Sequence, residues 1–127
     1  MADRKSAANR KWGPMAEWPT RQTAAGVTVV TPDGRLNMVA APELREQLRT
    51  LVQDGASRVV VDLSGVESID SSGLGALISG LKAARNAGGD LRIAAPNAQV
   101  MAVLELTNLN RVLRPRESAE KAFDEPE

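Results

Sequence analysis

Short β-branched runs alternate along the chain with stretches whose apolar positions recur every three or four residues. Val27-Thr28-Val29-Val30-Thr31 is β-branched throughout and predicts a strand. Ala24-Ala25-Gly26 is placed to turn the chain into it from a weaker strand around Trp18 to Thr23. Pro32-Asp33-Gly34 reads as a turn, because proline presets φ and glycine accepts positive φ. Pro42 stands at a first helical position. Leu44, Leu48, Leu51 and Val52 follow at i, i+4, i+7 and i+8, one stripe of an amphipathic helix that Asp54-Gly55 ends. Arg58-Val59-Val60-Val61-Asp62-Leu63 is an almost continuous β-branched run, which suits a strand buried on both faces in a parallel sheet. Ser64-Gly65 is expected to break it.

Asp70 or Ser71 then caps a second helix, with Leu74, Leu77, Ile78, Leu81 and Ala84 as its apolar stripe and Gly88-Gly89 as its stop. Leu91-Arg92-Ile93-Ala94 predicts the next strand. Pro96-Asn97 opens a third helix with Val100, Val103 and Leu104 on one face. Val112-Leu113 is expected as a short edge strand, and Ser118 with Glu120-Lys121 as the start of a last helix ending near Phe123. Strand, helix and strand over 58–63, 71–87 and 90–94 make a βαβ unit with parallel strands and a right-handed crossover. The expected architecture is α/β: a mixed four- to five-stranded sheet with helices packed mainly on one face. The other face stays partly open unless the N-terminal strand and linkers cover it. One domain is expected over 18–123. Residues 1–17 are polar and non-periodic, which suits a disordered tail, and the acidic 124–127 should fray.

Composition narrows the chemistry more than the fold. The 127 residues include 43% apolar ones, enough for a core. Without cysteine there is no disulfide, thiol nucleophile or zinc-thiolate site, and without histidine no Ser-His-Asp triad or HExxH zinc site. Lys+Arg and Asp+Glu balance at 16 each, so net charge offers no argument for direct nucleic-acid binding. Trp12, Trp18 and Phe123 are too few aromatics for a base-stacking platform. No segment approaches the ~18 uninterrupted apolar residues of a membrane helix. Arg4, Lys5, Arg10 and Lys11 imitate the basic start of a signal peptide, but no apolar stretch follows, so the expected location is the cytoplasm, with no membrane partner.

The segment richest in chemistry runs from Asp62 to Gly75, DLSGVESIDSSGLG, between a strand end and a helix start. Ligands and partners of open α/β sheets gather at such strand ends. Capping by Asp70 or Ser71 explains part of it. It does not explain Gly73 and Gly75 in the first helical turn, where glycine costs roughly 0.5–1 kcal/mol against alanine. Close approach by another backbone or by a phosphate would. Sharper motifs fail on their own terms. Gly73-Leu74-Gly75 begins like a dinucleotide fingerprint, but Ile78 stands where the third glycine belongs. Asp62, Glu67 and Asp70 are candidates to gather Mg²⁺, yet their spacing fits no defined loop, and solvated or capping carboxylates explain them better. Asp62 after three valines is similar to the phosphoaccepting Asp of receiver domains. Those also need an acidic pair after their first strand and a late Lys, which are missing at matching places.

From Val27 to about Phe123 the chain resembles a STAS domain, of the stand-alone bacterial anti-sigma factor antagonist type. The resemblance rests on Val27-Thr28-Val29-Val30 with Gly34-Arg35-Leu36, on Val59-Val60-Val61-Asp62-Leu63-Ser64-Gly65-Val66, and on Ile69-Asp70-Ser71-Ser72-Gly73-Leu74-Gly75 before an amphipathic helix. It implies that Ser72, the second serine of the Asp-Ser-Ser-Gly core, is the phosphoacceptor. Asn37, Asp70, Ser71, Ser72, Gly73, Leu74 and Gly75 would form the partner-binding surface. It implies a non-enzymatic partner switch with no cofactor and no metal. The unphosphorylated form binds an anti-sigma factor with serine kinase activity and so frees a sigma factor; phosphorylation at Ser72 ends binding, and a metal-dependent PP2C-like serine phosphatase resets it. Relatives often carry Asp where this chain has Asn37, which keeps the hydrogen bonding and drops the charge. Two other readings compete: a STAS scaffold in a larger signalling or transport assembly that binds regardless of Ser72, and an enzyme or receiver domain using Asp62 and Asp70.

Overall fold

Residues 18–124 are described by a computed structural model; the expected disordered tail over 1–17 and most of the expected frayed end lie outside them. The two valine runs pair at the centre of a four-stranded sheet. Its strands are β1 (Thr20–Gln22), β2 (Thr28–Val30), β4 (Arg58–Asp62) and β6 (Asp90–Ala94), in the order β1-β2-β4-β6. β1 is antiparallel to β2, while β2, β4 and β6 run parallel. Two further strands, β3 (Asp33–Leu36) and β5 (Gly65–Ile69), form a separate parallel ribbon. The helices are α1 (Ala41–Gln53), α2 (Ser71–Asn86), α3 (Ala98–Leu106) and α4 (Asn110–Leu113), with a 3-10 turn at Ala119–Lys121.

Val59, Val60 and Val61 are fully buried, as a two-faced central strand requires. Side-chain alternation divides them between two cores. Val59 and Val61, with Val30, Leu91 and Ile93, meet Leu44 and Leu48 of α1 and Leu74, Leu77 and Leu81 of α2. Gly80 lets α1 approach, since a Cβ there would lie 2.6 Å from the Leu48 side chain. The predicted α1 stripe holds at Leu44 and Leu48, whereas Leu51 and Val52 are only half-buried. Buried Gln47 takes part instead. Its Oε1 accepts from the Trp18 N–H at 3.0 Å and its Nε2 donates to the Trp18 carbonyl at 2.8 Å, tying the entering chain to α1.

Val29, Val60 and Ala94 face the opposite side, which the C-terminal segment closes with Ala119 and Ala122. Arg92 stands 4.5 Å from the Phe123 ring centroid and also donates to the Ala122 carbonyl at 3.1 Å. Arg21 pairs with Glu120 at 2.9 Å. The Glu120 backbone N–H and then Arg21 hold that carboxyl below its usual range. The second face is therefore covered from the C-terminal side, by a segment far from the strand it packs on.

Two expectations are corrected. Val112-Leu113 lies in α4 and not in an edge strand. Asn108, at φ 63°, turns the chain out of α3, and local bonds such as Leu113 N–H to the Leu109 carbonyl at 2.9 Å close a helical turn that buries Leu113. Sheet contact there is a single bridge, Ala94 with Arg116. Ser64-Gly65 breaks β4 as expected, in a brief turn held by Ser64 N–H on the Asp62 carboxylate at 3.0 Å, after which the chain resumes as β5. Pro32-Asp33-Gly34 likewise leads straight into β3. Gly34 adopts the positive φ, 78°, that a turn would use, but spends it at a bulge: Gly34 pairs with Val66 and Arg35 with Ser68, leaving Glu67 as the extra residue.

Candidate functional site

β3 and β5 run side by side from Asp33 opposite Gly65 to Leu36 opposite Ile69, so both strands end at one edge. Two loops leave that edge together, one through Asn37 and one through Asp70. The Asp70 N–H donates to the Leu36 carbonyl at 3.2 Å and joins them.

Asp70 is the cap of α2, and Ser71 is its first residue. The Asp70 backbone is extended, and its Oδ1 accepts from the N–H groups of Ser72 at 2.9 Å and Gly73 at 3.1 Å. Ser71 is exposed and Ser72 half-buried at the next position. Gly73 and Leu74 turn inward, Leu74 with 7% exposure. These two shape the expected partner-binding surface from beneath and are not part of its exterior.

The two puzzling glycines separate here. A Cβ on Gly73 would lie 2.3 Å from the Leu36 carbonyl oxygen and 2.8 Å from the Ile69 side chain. The close approach is by the backbone of β3. A Cβ on Gly75 would meet only Arg45, at 4.0 Å, an ordinary contact distance. Gly75→Ala is therefore expected to raise stability by about 0.5–1 kcal/mol, the usual helical difference between the two residues. Urea denaturation reads this directly, and a loss of stability would show a clash that the static geometry lacks.

Asn37 shapes the neighbouring loop. Its Oδ1 accepts from Val39 N–H at 3.0 Å and Ala40 N–H at 3.2 Å, and its carbonyl accepts from Ala41 N–H at 2.8 Å. A carboxylate would accept the same bonds, so the turn needs no charge. The turn holds Met38 and Val39 in solvent at 71% and 79% exposure. The sequence reading missed this pair. Met38 and Val39 lie outside the stripe of α1, but nothing in the sequence says whether they face solvent or core.

The candidate carboxylates do not converge on an ion. Asp62 holds the Ser64 turn, Glu67 faces Arg35 at 3.6 Å on the ribbon surface, and Asp70 is engaged in the cap. Among the described residues no group of three or more acidic or other ligating side chains is placed to hold a metal. Two concavities of about 380 and 490 Å³ lie away from the junction, one beside Gly26, Leu51 and Ser57, the other beside Ala95, Met101 and Arg116. What the junction offers is a serine at a helix start with two exposed apolar side chains in the adjoining loop, an arrangement suited to docking.

The STAS domain family model matches residues 19–122. A Thermotoga maritima protein, described as a candidate anti-sigma factor antagonist, is 32% identical over 100 residues, covering 78% of this chain and 88% of its own. Its crystal structure superposes with a TM-score of 0.75 at 30% identity, over 82% of this chain and 89% of that one. The anti-sigma-B factor antagonist of Staphylococcus aureus is 32% identical over 87 residues, 68% of this chain and 81% of the relative. The unphosphorylated form of SpoIIAA shares the fold at a TM-score of 0.72 and 17% identity, covering 85% of this chain and 94% of that one.

Proposed function

The chain belongs to the STAS domain family, and we propose that it is an anti-sigma factor antagonist acting by partner switching. Its unphosphorylated form binds an anti-sigma factor with serine kinase activity and thereby releases a sigma factor in the cytoplasm. Phosphorylation of Ser72 ends the complex, and a PP2C-like serine phosphatase restores it. The supporting relatives are the Thermotoga and Staphylococcus proteins, both described as anti-sigma factor antagonists. SpoIIAA, a Bacillus cell fate determinant of the same fold, exists in a phosphorylated form.

The observation that carries the proposal is the cap. Because Asp70 and not Ser71 ends the loop, Ser72 is the second helical residue, beside the exposed Met38–Val39 turn. A phosphate there meets the positive end of the helix dipole, typically worth 0.3–1 kcal/mol, while the Asp70 charge opposes it. The dipole offsets part of that repulsion at an exposed helix end, so the fold is expected to tolerate the group. A docked partner does not, since about 1.5 to 2 negative charges would have to be desolvated at its surface. The modification thus acts on the complex more than on the domain. Ser71, Asp70 and Asn37 are assigned to the rim of the same docking surface.

The test is an intact-mass kinase assay with the cognate anti-sigma factor and ATP, beside titration calorimetry. Ser72→Ala is expected to accept no phosphate and to bind with nearly unchanged affinity. Ser72→Asp is expected to bind more weakly, though less so than the phosphoprotein, because one charge copies nearly two poorly. Phosphate on Ser72→Ala but not on Ser71→Ala would move the acceptor by one residue. Failure of every form to accept phosphate, with binding indifferent to Ser72→Asp, would leave a scaffold module in place of the switch.

A further inference from the structure

Helices α1 and α2 run alongside each other in the same direction. Their contacts advance together: Leu36 just before α1 touches Gly73, Arg45 lies over Gly75, and Leu48 lies over Gly80. A helical side chain leans toward the N-terminus of its own helix. Arg45 therefore leans along α2 toward the start of that helix, where Ser72 stands. Ser72 and Gly75 are three residues apart and so are surface neighbours, with roughly 5–6 Å between Cβ positions. At Gly75 itself, an added Cβ would have only the Arg45 guanidinium within 4 Å.

Arg45 is also free to respond. Among the described residues, Arg35 is paired with Glu67, Arg49 with Glu46, and Arg85 and Arg92 with Asp90, whereas Arg45 has no ion pair. We propose that Arg45 is the protein's own receiver for a phosphate on Ser72, closing across Gly75 to hold it against α1. Arginine presents a planar fork that matches two phosphate oxygens, so the contact is directional as well as electrostatic. This rests on Ser72 as the phosphoacceptor and adds a consequence. In the modified form the phosphate is held toward α1 by an exposed charged pair, so that α1 takes part in the switch. Asp70 at the cap opposes the phosphate charge, Glu46 is engaged by Arg49, and Glu43 stands in the first turn of α1.

Translational incorporation of phosphoserine at position 72 tests this without a kinase. Phosphorus NMR titration of that protein is compared with its Arg45→Gln and Arg45→Lys forms, with circular dichroism as the check on folding. The second ionisation of the phosphate is expected to move upward by roughly 0.3–0.7 pH unit in Arg45→Gln, the range of an exposed charged pair, with Arg45→Lys between. Removal of the phosphate by a PP2C-type phosphatase is expected to be about twofold to threefold faster in Arg45→Gln, over the same energetic range. Identical titration curves in folded wild type and Arg45→Gln overturn the role of Arg45. The kinase assay on the unmodified chain reports separately on Ser72 as acceptor, so the two failures are distinguishable.

Discussion

Gly73→Ala is expected to destabilise the domain by about 3 kcal/mol, at the upper end of ordinary overpacking costs. The added methyl would stand 2.3 Å from the Leu36 carbonyl oxygen and 2.9 Å from the Leu36 Cβ, in a strand whose end is fully buried. Neither neighbour is the far end of a flexible side chain, so relief requires moving β3 away from the start of α2. That movement breaks the Asp70 N–H bond to Leu36 and separates the Asn37 loop from Ser72. Stability and phosphate acceptance are therefore expected to fall together, measured by urea denaturation and by intact mass on the folded fraction. A loss below ~0.5 kcal/mol would show that β3 and α2 are not locked to each other.

Leu77→Ala is expected to cost about 2–5 kcal/mol, the range for emptying a fully buried leucine site. Leu77 is without solvent exposure and belongs to the core shared by α1, α2 and the helical side of the sheet. The value should lie in the upper half of that range. Gly80 already brings α1 close, and the β-branched strand residues behind leave little freedom to collapse into the cavity. Unlike Gly73→Ala, this change leaves the cap and the Asn37 turn in place, so the fraction that folds should still accept phosphate at Ser72. Comparison of the two variants separates the stability of the domain from the shape of the edge that carries Ser72.

The chemistry of the edge was legible where it depended on near neighbours in the chain. Asp70 three residues before Gly73, and Asn37 a few residues before Ala41, carry local capping patterns that need no distant partner. Met38 and Val39 were not legible as a surface pair, because two apolar residues beside a helix start look the same whether they face solvent or core. Leu74 misled in the opposite sense: it sits in the motif, yet the helical period turns it inward.

What the sequence by itself determined is the set of elements whose signal is local and repeated: the buried strand at Val59–Val61, the α2 stripe with Leu77 and Leu81, the βαβ unit, and a serine-bearing helix cap at Asp70 or Ser71. Each is specified by side-chain period or by hydrogen bonds spanning a few residues. Tertiary structure decided the rest. β3 and β5 are short and only partly buried, with glycines at Gly34 and Gly65, and only their mutual pairing across some thirty residues makes them strands. Val112-Leu113 became helical because the turn at Asn108 and burial of Leu113 outweighed a weak β preference. The second face of the sheet was closed by Ala119, Ala122 and Phe123, whose partners lie far back along the chain. Pairing and burial between distant segments leave no periodic mark in either segment alone, so they become visible only when the chain is folded.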